Sequence, residues 1–112
     1  MDNADLFNNM QSDLKLLNLK IKELHDYGFK KADAEEQYKV EAAKYMAEQI
    51  LNGNKVTILG DLTRGQPRIA NLRKNRDKWQ IMYDTTQETI YALKTQIRIN
   101  ETMLKLEYSS KD

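Results

Sequence analysis

The chain has 112 residues, of which 40% are apolar and 31% are charged, and its formal net charge is +1. These values are typical of one soluble, helix-rich domain and exclude a largely disordered chain. Because the chain has no cysteine and one histidine, disulfides, thiolate metal sites and cysteine nucleophiles are excluded, and we expect neither a metal nor a cofactor.

The N-terminal segment has none of the features of a targeting sequence. It reads MDNADLFNNM, which is acidic and polar, whereas a signal peptide has a basic start and an apolar core. The sequence also has no run of about 18 apolar residues, so no transmembrane helix is predicted. We therefore expect a cytoplasmic protein without membrane contact, and we take residues 1–112 as a single domain.

The first predicted helix covers residues 3–52, with Asp2 or Asn3 as its N-cap. Its apolar residues alternate at four- and three-residue intervals, which indicates a heptad seam. These residues are Leu6, Met10, Leu14, Leu17, Ile21 and Leu24. Gly28 disfavours a helix interior by about 1 kcal/mol, so a kink or break at this residue is left open. The Asn52-Gly53 pair predicts the end of the helix.

The predicted linker covers residues 53–66 and permits two interpretations. One is a short strand over residues 56–59, and the other is one or two helical turns capped by Thr57 and stopped at Gly65. We favour the helix, because a lone strand would have no partner to pair with in this sequence.

The second long helix is predicted over residues 67–108, with Pro67 at its first position. It carries eleven positions at heptad spacing, which indicates one continuous seam. These positions are Ile69, Leu72, Arg76, Trp79, Tyr83, Thr86, Ile90, Leu93, Ile97, Asn100 and Leu104. Polar residues inside such a seam more often fix register and partner number than carry chemistry.

Two helices of comparable length with a short connection predict an all-α fold, a long antiparallel helical hairpin resembling a coiled coil. Pairing the two helices over their whole length places Tyr38 and Tyr45 opposite Trp79, Tyr83 and their neighbours. The same pairing places the leucine-rich start of the first helix opposite the end of the second.

The start of the first long helix and the end of the second carry more apolar residues than one seam can bury. Large exposed apolar patches usually mark an interface. We expect an oligomer interface formed by Leu14, Leu17, Ile21, Ile97, Ile99, Met103, Leu104 and Leu106. The hairpin would then assemble into a multi-helix bundle. A homodimer is the simplest closure, and tetramers and hexamers remain open.

A cluster of six basic residues with one acid, Asp77, surrounds the start of the second long helix. The six are Arg64, Arg68, Arg73, Lys74, Arg76 and Lys78. Basic residues in the first turns of a helix oppose its macrodipole, so the cluster needs a negative partner. That partner is either an external molecule or the acidic face of the first helix, with Asp33, Glu35, Glu36, Glu41 and Glu48. A third alternative is that the cluster is merely a solvated surface. The candidate binding residues for an external partner are Lys55, Arg64, Arg68, Arg73 and Arg76.

Four segments together resemble a family of small, mostly uncharacterised helical proteins encoded by phages and prophages of Gram-positive bacteria. The segments are ADAEEQY, ILNGNKVTILGDLTRG, RIANLRKNRDKW and KTQIRINETMLKLEY. The most specific part is the G-x-x-V-T-x-L-x-D-L-x-R-G pattern from Gly53 to Gly65, followed by the Leu-Arg-x-x-Arg-Asp run ending at Asp77. The resemblance implies a helical hairpin from an early phage gene, acting in the host cytoplasm. It implies no reaction and no catalytic residue.

These patterns predict a non-enzymatic, oligomeric interaction module that binds a protein partner through its basic loop end. For a phage protein, that partner would be a host enzyme, a defence component or a phage replication or packaging protein. The alternative is an anion-binding protein that recognises nucleic acid or a small phosphorylated ligand with the Arg64–Lys78 cluster. No nucleophile–base pair, phosphate loop or metal cluster supports an enzyme, and no catalytic residue is proposed.

Overall fold

The computed structural model describes residues 2–110, which form three helices and no strand. Helix α1 spans Asn3–Leu51, α2 spans Val56–Gly65 and α3 spans Pro67–Ser110. The prediction of an all-α helical hairpin is confirmed, and the linker is helical rather than a strand. None of the helices in residues 2–110 combines the length and the apolar character needed to cross a membrane.

The chain divides into two compact units, to which α1 and α3 both contribute. The loop unit is Tyr27–Tyr83, which contains all of α2. The terminal unit consists of the chain up to Asp26 and from Asp84 onward.

The ends of α1 are closed by local hydrogen bonds. The Asp2 carboxylate accepts a hydrogen bond from the backbone N–H of Asp5 at 2.8 Å, so Asp2 is the N-cap. At the other end, the N–H groups of Gly53 and Asn54 donate to the carbonyls of Ile50 and Gln49, each at 3.0 Å. Gly53 has φ +88°, and this left-handed residue completes the Schellman arrangement that ends the helix.

The short helix α2 lacks the predicted Thr57 cap. Lys55 occupies the N-cap position without a side-chain hydrogen bond, and Thr57 lies inside the helix. Helix α3 starts at Pro67 as predicted, and the side-chain oxygen of Gln66 caps it by accepting a hydrogen bond from Ile69 N–H at 2.9 Å.

Helix α1 continues through Gly28 without a break. Gly28 faces the ring of Tyr83, and a Cβ atom at position 28 would lie 3.4 Å from Cε2 of Tyr83. Since both residues belong to the loop unit, packing against α3 supports the helix at a residue of low helix propensity.

In the loop unit α1 and α3 run antiparallel, but in a different register from the predicted one. Arg68 of α3 pairs with Glu41 of α1, and Trp79 stacks with Tyr27 at a centroid distance of 5.9 Å. Equal-length pairing, which put Tyr38 and Tyr45 opposite Trp79 and Tyr83, is therefore wrong. Helix α2 lies between the two long helices in the chain and shares a groove with Tyr45 of α1, and α3 begins opposite Glu41.

The seam predicted on α3 is confirmed, because all eleven positions are buried or half-buried. In the terminal unit, Thr86, Ile90 and Asn100 are buried, together with Leu6 of α1. The seam predicted on α1 is partly wrong. Leu14 is 40% exposed and Ile21 is 36% exposed, and the half-buried positions in their place are Asp13 and Lys20.

Candidate functional site

Exposed aliphatic side chains surround the turn between α1 and α2. Leu51 is 86% exposed and Val56 is 75% exposed, and both Ile50 and Ile58 are also exposed. We call these four residues, with Lys55, the loop-end surface. A monomeric protein seldom leaves several large aliphatic side chains clustered in water, so this arrangement is typical of a binding site.

A shallow groove lies beside α2, next to the loop-end surface. Its volume is about 510 Å³, and it is lined by Tyr45, Ile58, Asp61, Leu62, Gly65, Gln66 and Pro67. The buried face of α2 carries Leu59 and Thr63. The Thr63 hydroxyl donates a hydrogen bond to the Leu59 carbonyl at 2.7 Å. The groove is therefore formed by a helix that is anchored on its opposite side.

Carboxylates within the chain already neutralise most of the predicted binding arginines. Arg64 pairs with Asp61 at 2.7 Å within α2, and Arg68 pairs with Glu41 at 3.3 Å. Arg76 donates from Nε and Nη2 to its neighbour Asp77. The prediction that the acidic face of α1 neutralises the cluster thus holds for Glu41, whereas the other two pairs are local.

Lys55, Arg73 and Lys74 differ from these arginines. Within residues 2–110 none of them forms an ion pair, a hydrogen bond from its side chain or a cation–π contact. Lys55 and Lys74 are exposed, and Arg73 is half-buried. Of the five predicted binding residues, the structure therefore leaves Lys55 and Arg73 with uncompensated charge.

Several cations lie over aromatic rings in the loop unit, an arrangement that the sequence did not predict. The guanidinium of Arg76 is 4.5 Å from the centre of the Tyr38 ring, and the Lys31 ammonium is 4.8 Å from that of Tyr83. Lys30 and Lys78 both lie over Trp79, at 4.8 and 4.4 Å. Arg76 thus takes part in the packing between α1 and α3, and its side chain is 31% exposed.

Comparison of the chain with protein-family models, with curated proteins and with solved structures finds no match.

The predicted oligomer interface falls into two groups in the terminal unit. Leu14, Ile21, Ile99, Met103 and Leu106 are exposed. The other three, Leu17, Ile97 and Leu104, are half-buried. The exposed group, which we call the terminal apolar surface, is the part that a second molecule can reach.

The terminal apolar surface on α3 repeats at heptad spacing. Ile99, Met103 and Leu106 follow one another at intervals of four and three residues, so they form a second apolar stripe on a helix whose seam is already occupied. A helix with two such stripes fits between two neighbouring helices.

No group of three or more histidine, cysteine, aspartate or glutamate side chains within residues 2–110 is arranged to hold a metal ion.

Proposed function

We propose that the chain is a non-enzymatic interaction module that binds a partner protein through the loop-end surface. The observation that carries this proposal is the exposure of Leu51 and Val56 beside the unpaired ammonium of Lys55. An apolar centre with a polar rim is the usual composition of a protein interface, and burying the two side chains would favour association.

A protein partner explains the loop-end surface better than nucleic acid does. Recognition of a phosphate backbone relies on several open cations, and its affinity comes from the counterions that they release. Here Arg64 and Arg68 are paired with carboxylates, and the side chains exposed at the turn include the aliphatic Leu51 and Val56. Aliphatic groups gain little from phosphates and much from an apolar pocket.

The proposal includes self-association through the terminal apolar surface. Two hairpins that cover each other's Ile99 and Met103 would form a four-helix bundle, the simplest closed arrangement for such chains. The buried Asn100 lies next to this stripe and its side-chain oxygen accepts a hydrogen bond from Gln96. A polar residue at such a position is suited to fixing register and partner number.

The resemblance to phage and prophage proteins suggests where the module acts. In that setting it would work in the cytoplasm of the bacterial host, on a host enzyme, a defence component or another phage protein. The loop-end surface would provide the specific contact, and the oligomer would present two or more copies of it.

A second candidate function is recognition of an anion, either nucleic acid or a small phosphorylated ligand. The observation that favours it is the open charge of Lys55, Arg73 and Lys74. Binding of this kind would weaken steeply as salt is raised, whereas binding to aliphatic side chains would not.

The two candidates are separated by one pair of variants. L51S combined with V56S removes the apolar centre, and the matched control K39S changes an exposed polar residue elsewhere on α1. We expect a partner protein to be retained from the source cells by the wild type and by the control, and to be lost with the double variant. Retention of nucleic acid alone, undiminished in the double variant, would instead support anion recognition.

A further inference from the structure

The outward face of α1 in the loop unit carries an acidic stripe. Its members are Phe29, Asp33, Glu36 and Val40, at spacings of four, three and four residues. The seam of α1 passes through Ala34, and these four side chains lie on the side of the helix turned away from that seam. Three of them, Asp33, Glu36 and Val40, also border a shallow depression of about 460 Å³ that Arg68 and Leu72 of α3 line as well. All four are exposed, and Phe29 is exposed by 72%.

The outward face of α3 in the same unit carries a basic stripe. It consists of Ala70, Lys74, Lys78 and Ile81, and it borders a shallow depression of about 420 Å³ that Arg73, Asp77 and Met82 also line. Ile81 is 63% exposed. Both stripes thus have apolar residues at their ends and charges of one sign between them.

The charges of the two stripes are largely uncompensated. Neither Asp33 nor Glu36 forms an ion pair within residues 2–110, and the same holds for Lys74. Lys78 lies over the Trp79 ring, a contact that leaves its charge in place. Asp77, the acid beside the basic stripe, already accepts two hydrogen bonds from Arg76.

The internal register of the loop unit gives the relative heights of the two stripes. Gly28 lies against Tyr83, and Glu41 pairs with Arg68 at the other end of the stripes. Between these two contacts, antiparallel helices rise by equal steps. Phe29 then lies at about the same height along the helix axis as Ile81. The other pairs of residues at equal height are Asp33 and Lys78, Glu36 and Lys74, and Val40 and Ala70.

We propose that the acidic stripe of one copy packs against the basic stripe of a second copy placed beside it. No shift along the helix axis is needed, because the internal register already sets each acid at the height of a base. Phe29 then contacts Ile81 of the second copy, and the two carboxylates meet the two ammonium groups. This inference stands independently of the partner protein proposed above.

The contact joins two different surfaces, so it is heterologous. A copy that binds one neighbour through its acidic stripe keeps its basic stripe free to bind another. Such contacts produce a ring if the rotation between neighbouring copies closes on itself, and a filament if it does not. Exposed ion pairs are individually weak and are screened by salt. The assembly should therefore grow with protein concentration and at low ionic strength.

Charge reversal provides the first test. The mass of the assembly is measured by light scattering at about 0.02 M and about 0.5 M salt, conditions that differ strongly in screening. We expect a larger mass at low salt for the wild type, loss of this increase in D33K/E36K and in K74E/K78E, and its recovery when all four substitutions are combined. A mass that is independent of salt, or no recovery in the combined variant, would overturn the proposal.

Disulfide trapping provides the second test. Because the sequence has no cysteine, any disulfide must form between the introduced cysteines. F29C and I81C, purified separately and then mixed under oxidising conditions, should form a cross-linked pair more than tenfold faster than K39C mixed with I81C. Each variant alone should cross-link slowly, since the contact is heterologous. Equal rates for the two mixtures would contradict the predicted contact, whatever the masses show.

Discussion

Arg68 Nη2 lies 3.3 Å from Glu41 Oε2, and this ion pair joins α3 to α1 within the loop unit. The pair marks the height at which α3 begins, opposite Glu41, whereas Tyr45 further along α1 lines the groove beside α2. The groove beside α2 depends on this arrangement, because Tyr45 of α1 and Pro67 of α3 both line it together with residues of α2.

The Arg68–Glu41 pair should contribute little to stability despite its position. The Arg68 side chain is 70% exposed, and exposed ion pairs typically contribute about 0.2–1 kcal/mol. A double-mutant cycle with R68A and E41A, followed by urea unfolding, should give a coupling free energy in that range that falls as salt is added. A coupling of several kcal/mol would show that the register depends on this pair rather than on apolar packing.

Gly28 and Gly53 should respond in opposite ways to alanine. At Gly28 the helix is regular and the added methyl would make an ordinary contact with Tyr83, so G28A should raise the free energy of unfolding by about 0.5–1 kcal/mol. At Gly53 the positive φ strains any side chain, so G53A should lower it by about 1–2 kcal/mol. Thermal unfolding followed by circular dichroism measures both, and destabilisation by G28A would mean that Tyr83 cannot adjust.

Much of the fold could be predicted from the sequence because heptad spacing is a local property. The seam of α3, including its buried Thr86 and Asn100, follows from that spacing alone. The register could not be predicted, since it depends on how α2 packs against α1. The error at Leu14 and Ile21 has a similar origin. Apolar residues on the flank of a helix can also follow heptad spacing, and only the partner helix determines which stripe of the helix faces it.

The small core should make stability sensitive to individual apolar residues. Ile69 is 3% exposed at the start of α3, and I69A should lower the free energy of unfolding by about 2–4 kcal/mol. The matched control I81A alters the same residue type on the outward face of the same helix. It should change the free energy of unfolding by less than about 0.5 kcal/mol. Urea unfolding of both variants at about 0.5 M salt, where the side-by-side contact between copies is screened, tests this. Similar losses would mean that Ile81 contributes to the core of the single chain.

The terminal apolar surface should hold two or more chains together. I99D combined with M103D places carboxylates in the second stripe of α3 while leaving its seam intact, so the oligomer should dissociate to single chains that remain helical. The control E101K changes an exposed charge on the same helix and should leave the mass unchanged. Light scattering at about 0.5 M salt, where ionic contacts are screened, measures this; a double variant with the wild-type mass would contradict the interface.

The surfaces were harder to predict than the fold. The sequence identified Lys55, Arg64, Arg68, Arg73 and Arg76 from a local excess of positive charge. Which of these charges are paired depends on tertiary register for Arg68 and on side-chain stacking for Arg76. The exposed aliphatic side chains at Leu51 and Val56 were not singled out, although an apolar pair beside the Asn52-Gly53 helix end was a usable signal.

The measurement that tests the central claim most directly is site-specific photo-cross-linking at the loop-end surface in the source cells. A photoreactive residue is placed at Leu51, and the control places it at Thr57, an exposed polar position inside α2. We predict one discrete protein adduct at Leu51 that is weaker at Thr57 and is suppressed when V56S is added. Adducts to nucleic acid alone, or no adduct at Leu51, would contradict a protein-binding function for this surface.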